Sequence, residues 1–177
     1  MRLAAASGFI RSHRSNSTIH SMNIAHLSES LTMKIAVLHG SNLNRLGRRN
    51  PAKYGHATLA DITADVEKTA AEIGVDVTHL QSNSEATLID FIHDNQDEWD
   101  GIVINPAGFS SASYPLLDAV RDTELPYAVI HISQWHAIDA KERVDIFASG
   151  ATVYVAGAGW RGYSAALDAI VHKVRKD

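Results

Sequence analysis

The stretch "MKIAVLHGSNLNRLGRRNPAKYG", residues 33–55, decides the fold. Its apolar part, 35–38, reads as a buried strand. The polarity then changes abruptly into a long, arginine-rich connection that ends at Tyr54 and Gly55. The segment "GSNLNRLG" (40–47) has neither the Gly-Lys-Ser/Thr ending of a P-loop nor the three-glycine dinucleotide fingerprint. Phosphate binding through backbone amides is therefore not expected. The connection is longer than the roughly two to six residues typical between a strand and a helix, and long loops of this kind are often active-site lids. On spacing alone, a solvated surface loop with an isolated tyrosine is the plainer alternative.

Downstream, apolar strands alternate with helical patterns. A helix is expected over 58–73, where Leu59, Ile62, Val66, Ala70 and Ile73 recur at three-and-four spacing and Gly74 supplies the stop. A second strand is expected over 75–80. "SNSE" (82–85) then has the spacing of a capping box, opening a helix that carries Leu88, Ile89 and Ile92. Further strands are expected at 101–105, 127–132 and 151–156, and further helices at 114–121 and 163–174. Five short strands separated by helices predict an α/β fold: a flavodoxin-like, doubly wound five-stranded parallel sheet in three α/β/α layers. Ligands in such sheets bind beyond the carboxyl ends of the strands. The segments to read are thus 42–54, 105–111, 131–136 and 157–162.

Composition bounds the function. With 177 residues, 45% of them apolar and 20% charged, the chain resembles an ordinary globular protein. A formal net charge of −4 argues against a general nucleic-acid binder, although Arg45, Arg48 and Arg49 could meet a small anion. The absence of cysteine excludes disulfides and thiolate chemistry and restricts any metal site to His and carboxylates. No apolar run reaches the roughly 20 residues of a membrane span, so neither a membrane nor a nucleic-acid partner is expected. Residues 1–32, rich in Ser, His and Asn with no acid before Glu29, read as an extension that is disordered or outside the mature fold; a transit peptide is the alternative. The domain is placed at 33–177 and its location is expected to be cytoplasmic. A flavin-carrier role is disfavoured, because the loop after the first strand lacks a Ser/Thr-rich phosphate-binding composition.

The opening stretch resembles the N-terminal signature of type II 3-dehydroquinate dehydratases. The likeness continues through "QSNSEATLIDFIH", "IVINPAGFSSASYPLLDAV", "VIHISQWHA" and "GAGWRGYSAALDAI", covering essentially all of 33–177. The resemblance implies a lyase that converts 3-dehydroquinate to 3-dehydroshikimate through an enolate, in the shikimate pathway or in quinate catabolism. It also implies that no cofactor or metal is used, and that the subunit assembles as a homo-oligomer, usually a dodecamer of trimers. Tyr54 matches the base, Arg49 its lid partner, Asn42 the enolate stabiliser and His131 the general acid. Asn105 matches a residue that holds a substrate hydroxyl, and Ile132 and Ser133 the carboxylate-binding segment. Asp118 matches an acid that reaches a neighbouring subunit's site.

The chemistry suits these residue types. A tyrosine hydroxyl ordinarily titrates near pH ~10, so service as a base near neutrality requires its anion to be stabilised by about 4 kcal/mol. A nearby guanidinium favours that anion. Aimed donors stabilise the developing enolate, and a histidine delivers the proton that the departing hydroxyl needs.

The departures fall in the substrate pocket. Ser111 stands where the family has a hydroxyl-binding histidine, and Ile138 and Glu142 replace two arginines. Val129 replaces the glutamate expected two residues before the acid histidine, and Asn50 interrupts the usual Arg-Glu-Pro of the lid. Lys141 or Arg143 could turn inward in compensation. Three readings follow: a working dehydratase with a drifted pocket, the same elimination on a related cyclic β-hydroxy ketone, or a non-catalytic metabolite-binding or scaffold relative.

Overall fold

The structure is a computed structural model that describes residues 32–138 and 143–176. The chain divides into units at 1–32 and 33–177. Residues 1–31 of the expected extension, together with Lys141 and Glu142, lie outside the described residues.

Five strands form one wholly parallel sheet: β1 (Lys34–Ser41), β2 (Asp76–Gln81), β3 (Gly101–Ala107), β4 (Tyr127–His131) and β5 (Val153–Ala156). Their order is β2-β1-β3-β4-β5. The chain moves outward from β1 to β2 and then crosses back to β3, so the switch point lies between β1 and β3. The helices are α1 (Pro51–Tyr54), α2 (Leu59–Ile73), α3 (Glu85–Asn95), α4 (Tyr114–Asp122), α5 (Trp135–Ile138) and α6 (Gly162–Val174).

Strand alternation divides the core in two. Ile35, Val37, Val103, Ala128 and Ile130 face α2 and α6, where Ile62, Val66, Leu167 and Ile170 cover them. Ala36, Leu38, Ile102, Ile104 and Val129 face α3 and α4, against Leu88, Ile92, Leu116 and Val120. This is the three-layer arrangement the alternating pattern predicts. Helix α2 begins where expected: Thr58 accepts from the Asp61 amide while Asp61 accepts from the Thr58 amide, and Gly74 caps the far end. Helix α3 does not begin as expected. Its N-cap is Ser84, which accepts from the Thr87 amide, whereas Ser82 only braces the turn by accepting from the Ser84 amide.

Strands β1 and β3 outrun their apolar stretches, and this brings their exits together. A Cβ on Gly40 would stand 2.2 Å from the carbonyl oxygen of Pro106, so only glycine allows the two backbones to approach this closely. Immediately beyond, Asn42 adopts the left-handed conformation (φ 64°), which asparagine tolerates better than most residues. Ala107 holds φ 50° and ψ −118°, a conformation costly for any residue with a Cβ.

Candidate active site

The carboxyl ends of β1, β3 and β4 surround a cleft of about 350 Å³. Its floor comes from Ser41, Asn42 and Leu43 after β1 and from Asn105, Ala107 and Gly108 at the end of β3. One wall is His131, Ile132, Ser133 and Trp135. Arg49, Lys53, Tyr54 and Arg143 complete the lining.

The long connection after β1 has two parts with different duties. Its first part turns through a short 3-10 helix (Leu43–Arg45), pinned by Leu43 and Leu46 in the core. Its second part is α1, started by Pro51 and ended by Gly55, whose amide donates to the Pro51 carbonyl (2.8 Å). That single turn aims Tyr54 into the cleft. The Arg49 guanidinium lies 4.7 Å from the Tyr54 ring centroid and the Lys53 ammonium 5.4 Å. Two cations thus lie against one phenol ring at the cleft.

Asn105 is buried at the switch point. Its side-chain oxygen accepts from the Ala107 amide (3.1 Å), and it also hydrogen-bonds the Tyr163 hydroxyl. That hydroxyl meets His39 Nδ1 (3.2 Å), and His39 Nε2 meets His79 Nδ1 (3.2 Å). Burial, and secondarily His79, pushes the His39 imidazole down to about 3. Burial likewise lowers His79 and raises Tyr163, so the row beneath Asn105 is built of neutral groups.

Across the cleft, His131 stacks on Trp135 with ring centroids 4.6 Å apart, and its Nε2 lies 2.7 Å from Asp145 Oδ2. The carbonyls of His131, Ile132 and Ser133 accept from the amides of Gly157 and Gly159, which fixes the turn after β4.

Of the residues singled out in the sequence, Asn42, Arg49, Tyr54, Asn105, His131, Ile132 and Ser133 all line the cleft. Ser111, half-buried at the end of a 3-10 helix after β3, does not line it. Asp118 is exposed on α4 and away from it. Glu142 lies outside the described residues. The sequence reading missed Lys53 and Asp145. Lys53 follows from the one-turn helix that sets it beside Tyr54. Asp145 gives only a faint signal, an acid directly before the apolar pair Ile146-Phe147. Among the described residues no group of three His, Cys, Asp or Glu is placed to hold a metal ion, and no helix is long and apolar enough to cross a membrane.

The chain as a whole matches a known family. A family model for class II dehydroquinases matches residues 33–171. A 3-dehydroquinate dehydratase from Halothermothrix orenii is 42% identical over 81% of this chain and 97% of its own length. One from Pseudoalteromonas translucida is 41% identical over 80% of this chain and 95% of its own. Among solved structures, a type II dehydroquinase from Propionibacterium acnes superposes with a TM-score of 0.73 at 33% identity, over 81% of this chain and 99% of that one. With a family match that spans the whole sheet and relatives aligned over nearly their full length, the chain belongs to the class II dehydroquinase family.

Proposed function

We propose that the chain dehydrates 3-dehydroquinate to 3-dehydroshikimate, with Tyr54 as base and His131 as acid. One observation carries this reading: Tyr54, flanked by Arg49 and Lys53, faces the same cleft as His131. The Tyr54 oxygen takes a proton from the carbon next to the ketone, and the electron pair moves onto the ketone oxygen as an enolate. Asn42, through an ordered water, stabilises that charge. The enolate then re-forms the ketone as the ring C–O bond breaks, and His131 protonates the departing hydroxyl to give water. Tyr54 is left protonated and His131 deprotonated, and exchange with solvent resets both. The turn at Ile132 and Ser133 takes the substrate carboxylate and Asn105 a ring hydroxyl. Arg143, in the cleft lining, takes over from the arginines replaced at 138 and 142. Asp118, exposed on α4, serves a neighbouring subunit within a homo-oligomer.

The test is direct: follow the conjugated enone's absorbance after adding 3-dehydroquinate to the purified chain. Turnover is expected, with Tyr54→Phe lowering kcat about 10²–10⁴-fold, the usual contribution of a general acid or base. Absence of turnover by the wild type, or wild-type kcat in Tyr54→Phe, would sink the reading. A second reading, the same elimination on a related cyclic β-hydroxy ketone, draws on Ser111, which lies off the cleft lining. A higher kcat/KM for such a ketone than for 3-dehydroquinate would select it.

A further inference from the structure

Val129 stands where the family resemblance leads one to expect a glutamate. It is fully buried, two residues before His131 and on the same face of β4, in one apolar cluster with Phe147. It can accept no hydrogen bond. Yet the His131 ring is held by a carboxylate: Asp145 Oδ2 lies 2.7 Å from Nε2, and the two side chains are only 5% and 2% exposed.

We propose that Asp145 is the positioning residue of the acid histidine, supplying from a loop the carboxylate that β4 no longer provides. This rests on the reading of His131 as general acid. The loop is built for the task. Phe147 is fully buried and its carbonyl accepts from the Tyr127 hydroxyl (2.9 Å), while the Ile146 amide donates to the Ser110 carbonyl (2.9 Å). Directly before these anchors, Asp145 Oδ1 accepts from the Phe147 amide (3.1 Å) and Oδ2 accepts from the Tyr154 hydroxyl (3.0 Å) as well as from His131. Trp135 stacks on the imidazole, so the ring is fixed in both tilt and rotation.

The bond also decides which nitrogen does chemistry. An ionised carboxylate only accepts, so Nε2 carries the hydrogen. Nδ1 is then the nitrogen that exchanges a proton with the substrate. After donating from Nδ1, the ring is already the neutral tautomer that Asp145 binds, and the transfer requires no reorientation.

Asp145→Asn is nearly isosteric but can turn an N–H₂ toward Nε2, which selects the opposite tautomer, as in the serine-protease triad. With 3-dehydroquinate, kcat is expected to fall about 10²–10⁴-fold while KM stays within about threefold. Asp145→Glu keeps the carboxylate and is expected to recover at least about tenfold of that loss. Nitrogen-15 NMR of histidine-labelled protein, with His131 assigned through His131→Gln, should show Nε2–H in the wild type and Nδ1–H in Asp145→Asn.

A wild-type His131 protonated at Nδ1 when neutral overturns the proposal without any variant, and so does an Asp145→Asn enzyme with kcat within threefold of wild type. If His131→Gln abolishes turnover while Asp145→Asn does not, the proposal falls and the acid assignment stands. If His131→Gln turns over normally, the acid assignment falls and the catalytic proposal with it. Should Asp145→Asn not fold, the wild-type tautomer and the kcat of Asp145→Glu, expected below wild type at unchanged KM, decide the matter.

Discussion

Acidifying the protein from about pH 7.5 to about pH 5 is expected to remove about 2 kcal/mol of folding stability through His39 alone. The native imidazole is 1% exposed, bonded at both nitrogens, and pushed down to about 3 by burial and by His79. In the unfolded chain it titrates near ~6.5. Between those values the unfolded state binds a proton that the native state refuses, so stability falls as pH falls, by about 1.4 kcal/mol per pH unit once below the unfolded value. The contribution is complete above about pH 6.5 and is lost progressively toward about pH 3. At pH ~5 the unfolded imidazole is almost fully protonated and the native one almost not at all, which gives about 2 kcal/mol, or a Tm lower by about 4–8 °C.

The groups facing His39 are His79 on β2, Tyr163 on α6 and, through His79, Glu67 on α2. His79 is also lowered, which adds loss of the same sign. Urea titrations at both pH values, for wild type and for His39→Asn, isolate the His39 part as a difference of differences. Equal pH sensitivity in the two proteins would refute the reasoning.

Two further outcomes are expected. Arg143→Ala should raise KM for 3-dehydroquinate about 10-fold or more with kcat nearly kept, since loss of a charged hydrogen-bond partner commonly costs about 1.5–3 kcal/mol; steady-state kinetics read it, and an unchanged KM removes Arg143 from substrate binding. Ala107→Gly should stabilise the fold by about 0.5–2 kcal/mol, because relief of the φ 50° backbone outweighs glycine's added freedom when unfolded; a lower urea midpoint would contradict it.

The fold was legible because apolar strands and amphipathic helices alternate without interruption. The strand ends were not. The sequence pattern stops β1 at Leu38, the last apolar residue, yet the ladder continues through His39 to Ser41 because His79 and Tyr163 satisfy the buried imidazole. Asn105 likewise sits within β3 rather than closing it. Tertiary partners made polar residues acceptable inside the sheet, and one sequence names no such partners. The cleft residues were legible through motifs that travel with their strands. Asp145 was not, since its bond to His131 depends on the path of a loop across 14 residues. Residue-by-residue matching registers the lost glutamate at Val129 and is blind to a carboxylate arriving from another segment.

The two-part connection after β1 has a consequence for the reaction cycle. Its core-pinned half and the Gly40–Pro106 contact leave the floor without slack. The outer half runs between Gly47 and Gly55, both at positive φ, and carries Arg49, Lys53 and Tyr54 together. Any opening of this flap therefore moves Tyr54 and its neighbouring cations as one body, while His131 stays on the sheet. Under the proposed roles, closure sets the distance between Tyr54 and His131, so the rate of flap motion can limit turnover.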